Sequence, residues 1–568
     1  MKLANENVRD WALSMRRTTS RPRRGAKLVP SRYSISVELN SGDILLFNSA
    51  TRAFCRLDLK EAAYWRGWVQ KITARFNKDT EQQDAHLEEM DQCCHEVGDN
   101  FVNHGENATL QKMLLADGFL VDESMDELGK AKADYMASRN DPSLLMLTLA
   151  PTMACNLACG YCFQGLNKNV EKIDRRLPDA IVDFAKAQVE TIKGLNITWY
   201  GGEPLMAKKE IFSLADRLIS LCDKRGIQYS SMIVTNGYFL TAEVAQQLWS
   251  RRCTTAQVTI DGIEETHDKM RPMTSGRGSF ATIMKNLEAV LDETPMGISL
   301  RVNVGRRNVD ECDKLLEMLD QKGYGERSNF NLYFAPIDAA TPESGTAFEE
   351  GLKRLEFNRA ILALGDRARS LKLSQDMEIP KGILGMCVAA RSNGYTISHN
   401  GDVHKCWETA HDPTKRIGTI FEPEKLGGSL NAALWDEWVP FENEVCGACK
   451  ILPMCGGFCG HRFIYHGAGN ETALPCPDWK WNTAEYLFAR AKAAKIVSDE
   501  DWKESEATSS VMQSGERHST ESLKKAQDIV LEKVASQGTY QPDVDFLLRG
   551  DGRFFEPVTS AENSEDQE

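Results

Sequence analysis

Three thiols open the chemistry of this chain. The run Cys155-Asn156-Leu157-Ala158-Cys159-Gly160-Tyr161-Cys162 spaces them so that one short loop can wrap three corners of a cubane iron–sulfur cluster. Such clusters are ordinarily held by four Cys thiolates. Three thiolates leave one iron without a protein ligand, and an iron with an open position can coordinate and reduce a substrate or cosubstrate. The spacing argues for catalysis over storage. A zinc site or a group of buried thiols is the alternative reading, although three-Cys zinc sites usually recruit a fourth ligand at separate ribbon spacing.

A second array lies downstream: Cys387, Cys406, then Cys446-x2-Cys449-x5-Cys455-x3-Cys459, then Cys476. Two zinc sites would want eight ligands in paired knuckles, and the array supplies seven thiols. With 16 cysteines and no export signal in view, metal or redox chemistry is favoured over disulfides. The six scattered thiols, Cys55, Cys93, Cys94, Cys222, Cys253 and Cys312, read as buried structural residues. The histidines around the second array, His399, His404, His411, His461 and His466, read as solvent-exposed or structural.

These residues need elements to hold them. Leu144 to Leu149 is an apolar run of strand length that delivers the chain to the three-Cys loop. Further strands are expected at Ile197–Tyr200, Met232–Val234, Ala256–Ile260, Ile298–Val304 and Asn329–Phe334, with helices between them such as Pro178–Ile192 and Ile211–Cys222. Asn308 and Glu311 are placed for a capping box. Six strands alternating with helices predict an α/β fold, a partial (β/α)6 barrel, whose active site lies at the C-terminal strand ends. The motifs fall there: Gly201-Gly202-Glu203-Pro204 after the second strand, Thr235-Asn236-Gly237 after the third, and Asp261-Gly262 with Arg271 after the fourth. Glycines permit close backbone approach, and a carboxylate beside exposed carbonyls suits an ammonium group.

Ahead of this core, Tyr33–Leu39, Ile44–Asn48 and Ala53–Leu57 read as a small antiparallel meander, followed by helices near Trp65 and Leu114. Together they form a winged-helix-like α+β domain interrupted by a polar insertion near Asn77–Asn107. A chain of 568 residues exceeds one core and suggests about three or four domains. The expected divisions are a basic arm at 1–25, the small domain at 26–127, a charged helical linker at 128–142, the barrel at 143–375, the Cys-rich domain at 376–490 and a polar, partly helical or disordered tail at 491–568. A net charge of −14 argues against nucleic-acid binding as the main role, and no apolar run is long enough to cross a bilayer. No apolar segment follows the N-terminal arginines, so a cytoplasmic location is expected.

The Cys155 loop, with Tyr161 directly before its last Cys, resembles that of the radical S-adenosylmethionine (SAM) superfamily. The resemblance implies that Cys155, Cys159 and Cys162 hold a 4Fe–4S cluster whose unique iron chelates the amino and carboxylate groups of SAM. One electron then cleaves the sulfonium to a 5′-deoxyadenosyl radical that abstracts hydrogen from a substrate. It further assigns Tyr161, Gly201, Gly202, Glu203, Pro204, Thr235, Asn236 and Arg271 to cofactor binding, with the Gly-Gly-Glu-Pro run at the SAM amine and Arg271 at its carboxylate. Asn303 would line the cavity. The second array looks like the SPASM extension of this superfamily, which carries two auxiliary 4Fe–4S clusters. By that resemblance Cys387, Cys406 and Cys459 hold the first, and Cys446, Cys449, Cys455 and Cys476 the second. Members with a fully ligated first cluster carry another Cys shortly before the first one here; this chain has none there, so a fourth ligand is unassigned.

The segments ILLFNSATRAF and LLADGFLVDESMDEL look like the peptide-recognition element of enzymes that mature ribosomally made peptides, where a leader peptide adds a strand to a sheet edge. The implied function is a thioether or carbon–carbon crosslink on a precursor peptide. The implied partners are that peptide with its leader and an external electron donor such as ferredoxin or flavodoxin. Two alternatives stand beside it. In an anaerobic sulfatase-maturing enzyme an Asp typically follows the second SPASM cysteine, where this chain has Trp407 and then Glu408. A noncatalytic iron–sulfur carrier would not need the Gly-Gly-Glu-Pro motif.

Overall fold

In the computed structural model, the described residues are 27–79, 105–165, 172–374, 387–465, 476–477, 480, 482–502 and 520–536. The basic arm, most of the polar insertion, Cys93, Cys94, His466 and the acidic end lie outside them.

The front of the chain forms β1 (Leu28–Pro30), β2 (Ser34–Glu38), β3 (Ile44–Asn48) and β4 (Phe54–Leu57), then a helix at Leu59–Asp79, a helix at Gly105–Ala116, and β5 (Leu120–Asp122). Strands β2, β3 and β4 pair antiparallel in that order, as the alternating sequence expects, while β1 pairs with β5 in a separate ribbon. The charged segment expected as a linker is a helix, Glu127–Arg139, but it is packed into the molecule: Ala131 and Tyr135 are buried in one apolar cluster with Tyr33, Phe441 and Leu452.

The central sheet holds β6 (Leu144–Ala150), β7 (Gly194–Trp199), β8 (Gln228–Thr235), β9 (Cys253–Thr259), β10 (Gly297–Val304) and β11 (Phe330–Pro336), all parallel, with helices between successive strands. Leu145, Leu147, Leu195, Ile197, Ile233, Val258, Leu300 and Leu332 fill one continuous core with the apolar faces of the flanking helices. The sheet does not stop at β6. A hairpin from the Cys-rich region, β12 (Gly394–Ser398), β13 (Asp402–His404) and β14 (Gly418–Thr419), continues it, giving the order β11-β10-β9-β8-β7-β6-β12-β13-β14. Strand β12 runs parallel to β6, with Ser398 opposite Ala150. The open end of the six-stranded arrangement is therefore capped by residues read from the sequence as a separate domain.

Asn308 corrects one local expectation. Its side chain does not cap the turn that follows it. It accepts from Gly305 N (2.8 Å) and donates to the Asp261 and Asn303 carbonyls (2.7 Å each), while Glu311 accepts from Thr266 Oγ1. Three buried backbone groups at the strand ends compete better for this amide than one helix N–H, because each would otherwise be buried unpaired.

Candidate cofactor and cluster sites

Beyond β6, Thr152–Ala154 runs alongside Gly201-Gly202-Glu203 beyond β7. Gly202 N donates to Thr152 O (3.1 Å) and Glu203 N to Ala154 O (2.8 Å). Gly201 has φ +135°, and a Cβ at Gly201 or Gly202 would collide with the carbonyls of Thr152, or of Met153 and Ala154. The glycines thus allow the two strand-end loops to lie against each other, so their close approach is first of all to the backbone that carries Cys155. The Cys loop is braced on its other side by Ala158 N to Pro272 O (2.8 Å) and by Thr274 N to Asn156 O (2.9 Å). Gln164 Nε2 donates to Gly201 O (3.1 Å), and Thr346 N donates to Gly160 O (3.0 Å). Cys159 is buried, and Cys155 and Cys162 are half-buried.

Glu203 is fully buried. Its Oε1 accepts from Leu205 N (3.0 Å) and Thr235 Oγ1 (2.7 Å), and its Oε2 accepts from Asn236 N (2.7 Å). Burial pushes its carboxyl up, and these three hydrogen bonds oppose that shift. The carboxylate therefore locks the ends of β7 and β8 together. Asn236 extends this lock to the Cys loop, donating from Nδ2 to Asn156 Oδ1 (2.8 Å) with Cys155 Sγ at 3.9 Å. Glu203, Thr235 and Asn236 thus come together with the three-Cys loop.

Tyr161 and Arg271 meet in a second buried network. Tyr161 Oη donates to Asp261 Oδ2 and accepts from Arg271 Nη1 (2.7 Å) and Asn303 Nδ2 (3.1 Å). Burial pushes the phenol well up, so it stays a protonated donor. Asp261, also fully buried, accepts from Asn303 N (3.0 Å) and lies 3.7 Å from Arg271. Asp261 and Asn303 are thus structural partners of Tyr161. The one signal for Asp261 in the sequence was its place at a strand end, and nothing local linked it to a tyrosine one hundred positions earlier. His267 supports this corner: Asp261 N donates to its Nδ1 (3.3 Å), and its Nε2 lies 3.1 Å from Ser279 Oγ.

Cys387 precedes β12 and Cys406 follows β13, so the antiparallel pairing of the two strands brings both thiols to the same end of the hairpin. Burial pushes the Cys406 thiol well up, and the neighbouring charges of Glu408, Cys387 and Cys459 push the same way. Burial likewise lifts Cys459 to about 12, with Arg462 opposing the shift and Glu408 and Cys387 adding to it. These three thiols therefore share one environment with the carboxylate of Glu408, which lies 3.1 Å from His461 Nδ1. His399, His404 and His461 are buried rather than exposed. The ring of Tyr200, the residue before Gly201, stacks on Trp407 at 5.3 Å and 15°. That pair joins the end of β7 to the residue after Cys406.

The remaining four thiols, Cys446, Cys449, Cys455 and Cys476, line one small cavity together with Ile451, Leu452, Gly457 and Lys480. Four thiols lining one cavity match the donor set of a 4Fe–4S cluster.

Residues 149–319 match the family model described as "Radical SAM superfamily". Mycofactocin maturase MftC of Mycobacterium tuberculosis is 30% identical over 359 residues, covering 61% of this chain and 86% of that protein. The serine-type anaerobic sulfatase-maturating enzyme of Klebsiella pneumoniae is 29% identical over 349 residues, covering 58% and 83%. Among solved structures, Streptococcus suis SuiB bound to precursor peptide SuiA aligns with a TM-score of 0.43 at 14% identity, covering 78% of this chain and 98% of that one. With the three-Cys loop, the parallel strand ends and the maturase match all on one chain, the protein belongs to the radical SAM superfamily, enzymes that use a 4Fe–4S cluster and S-adenosylmethionine.

Proposed function

We propose that this enzyme modifies a side chain of a ribosomally made precursor peptide, forming a thioether or carbon–carbon crosslink. In this reading Cys155, Cys159 and Cys162 hold the catalytic cluster. Cys387, Cys406 and Cys459 hold a first auxiliary cluster, and Cys446, Cys449, Cys455 and Cys476 a second. When bound, the catalytic cluster and SAM supply hydrogen-atom abstraction from an unactivated carbon. The protein's own work is positional. Glu203 and Asn236 fix the Cys155 loop against the ends of β7 and β8, and Arg271, Asn303 and Asp261 fix Tyr161 across it.

The observation that carries the reading is the Tyr200–Trp407 stack, which joins the residue before Gly201 to the residue after Cys406. In the thioether reading the first auxiliary set would hold a cluster able to take a substrate thiolate, and the Cys155 set would hold the cluster that supplies the radical. Thiolates are the form that binds metal. Two relatives with maturase names support a peptide or protein substrate. For the leader, the sheet order β2-β3-β4 leaves β2 and β4 as edge strands, either of which can be extended by an added strand.

The test is anaerobic reconstitution with reductant, SAM and any short Cys-rich or aromatic-rich peptide that inspection of the neighbouring reading frames yields. The expected result is 5′-deoxyadenosine together with a peptide that has lost hydrogen without gaining atoms. Formation of an aldehyde that reacts with hydrazide would establish the sulfatase-maturing alternative instead. That alternative draws on Glu408, a carboxylate two positions after Cys406.

A further inference from the structure

Lys480 is only 3% exposed and lines the same cavity as Cys446, Cys449, Cys455 and Cys476. Its Nζ donates to Cys476 Sγ at 3.8 Å, and among the described residues it makes no ion pair with a carboxylate. Its backbone is tied down on both sides, with Lys480 N donating to Pro477 O (3.1 Å) and Thr483 Oγ1 donating to Lys480 O (3.4 Å). A buried lysine is ordinarily paired, because an isolated ammonium in a low-dielectric interior costs several kcal/mol. Here the negative partner is the sulfur array itself.

The first auxiliary set has a different surrounding. The nearby Lys405 ammonium is spent on backbone, donating to the carbonyls of Arg391 (2.5 Å) and Gly394 (2.9 Å). The carboxylate of Glu408 and the guanidinium of Arg462 are both charged neighbours of those thiols. The first set therefore meets charges of both signs, whereas the second meets the Lys480 ammonium at hydrogen-bond range. Cluster potentials respond to net charge and to hydrogen bonds on sulfur.

We propose that Lys480 is a built-in counter-charge of the second auxiliary site, raising the reduction potential of the cluster held there. The inference rests on the ligand assignment proposed above. On reduction the four-thiolate cluster takes one electron from an external reductant and passes from a doubly to a triply negative charge, with no bond made or broken. A fixed ammonium at hydrogen-bond range stabilises the more negative form more.

Full-length reconstituted enzyme is titrated potentiometrically with dithionite and followed by electron paramagnetic resonance. The component that disappears in Cys449→Ala is assigned to the second site. In Lys480→Gln the reduced-to-oxidised ratio of that component, at the wild-type midpoint, should fall about tenfold, which is about 59 mV for one electron. Lys480→Arg should stay near wild type. An unchanged midpoint in Lys480→Gln, or an equal fall in Lys480→Arg, overturns the proposal. If Lys480→Gln loses the cluster while Lys480→Arg keeps it, the counter-charge role stands; loss in both overturns it. If Cys449→Ala removes neither iron nor signal, the ligand assignment itself has failed, and the inference falls with it.

Discussion

At the scale of residues, the site is held by buried polar groups that satisfy one another. Replacing Cys155, Cys159 and Cys162 together with Ala should abolish 5′-deoxyadenosine formation while iron falls by only about one 4Fe–4S unit, since each ligand set holds one cluster. Iron analysis and Mössbauer spectroscopy check this, and residual SAM cleavage in the triple variant would refute the catalytic assignment. His267 carries a pH dependence. Burial pushes it well below the usual imidazole range, with Arg271 adding to the shift, so in the folded protein it is neutral and accepts from Asp261 N. Because the folded value is depressed, the unfolded chain takes up the proton first, near its ordinary pKa of about 6.5. Stability from this group is complete above that pH and is lost as pH falls below it. Urea midpoints should therefore decline on acidification below about pH 6.5, and His267→Gln should reduce that slope. Parallel slopes in the two proteins would exclude His267 as the source.

At the scale of elements, the Gly201-Gly202 run decides how closely the β7 loop packs on the Cys loop. Gly202→Ala places a methyl against the Met153 and Ala154 carbonyls, which are backbone and cannot swing aside. Overpacking of this kind costs about 1–3 kcal/mol, and here it also displaces the chain that carries Cys155. The expected outcome is a lowered Tm together with loss of SAM cleavage. Gly226, at φ +67° with open space around its Cα, is the control. Gly226→Ala should cost about 1–2 kcal/mol for its left-handed backbone and leave cleavage intact. Equal loss of activity in both variants would show that general destabilisation, and not the contact with the Cys loop, is responsible.

At the scale of the whole molecule, the small front sheet and the Cys-rich region are one packed body. Tyr33, Ile35, Val37 and Leu45 share a core with Cys449, Ile451, Leu452 and Leu487. Ser49 Oγ donates to Lys450 O, Arg32 Nη2 donates to Gly447 O at 2.6 Å, and Arg56 pairs with Asp501 at 2.9 Å. Arg139 joins the same junction, donating to the carbonyls of Trp438 (2.9 Å) and Trp435 (2.7 Å). Deleting residues 27–126 should therefore expose the apolar surface under Ile451 and Leu452, lower iron retention and promote aggregation, beyond any loss of precursor binding. The leader hypothesis is better tested on the peptide. N-methylation of alternate leader residues removes N–H donors, and one of the two alternations should weaken binding to the full chain by about tenfold or more, in line with the loss of two or three strand hydrogen bonds. Equal affinity for both alternations and the unmethylated leader would rule out strand addition.

The amino-acid sequence by itself determined what local spacing can encode. Three thiols within eight residues specify a cluster-binding loop, and alternating or helical periodicity marked β2 to β4 and β6 to β11 close to their observed positions. It also placed Glu203 and Asn236 at strand ends, where a parallel sheet gathers its chemistry. Tertiary structure alone decided which distant residues answer one another. Asn308 matched a capping box on spacing, but the orphaned carbonyls of Asp261 and Asn303 claimed its amide. Helix Glu127–Arg139 read as a linker because it is charged, yet Ala131 and Tyr135 give it a buried stripe. Strand β12 carries no mark of its partner, and its pairing with β6 follows from the open edge that six parallel strands leave. Contacts of this kind join groups far apart in the chain. Their selection rests on which buried donors, acceptors and apolar faces remain unsatisfied once the local elements have formed, and no window of sequence contains that information.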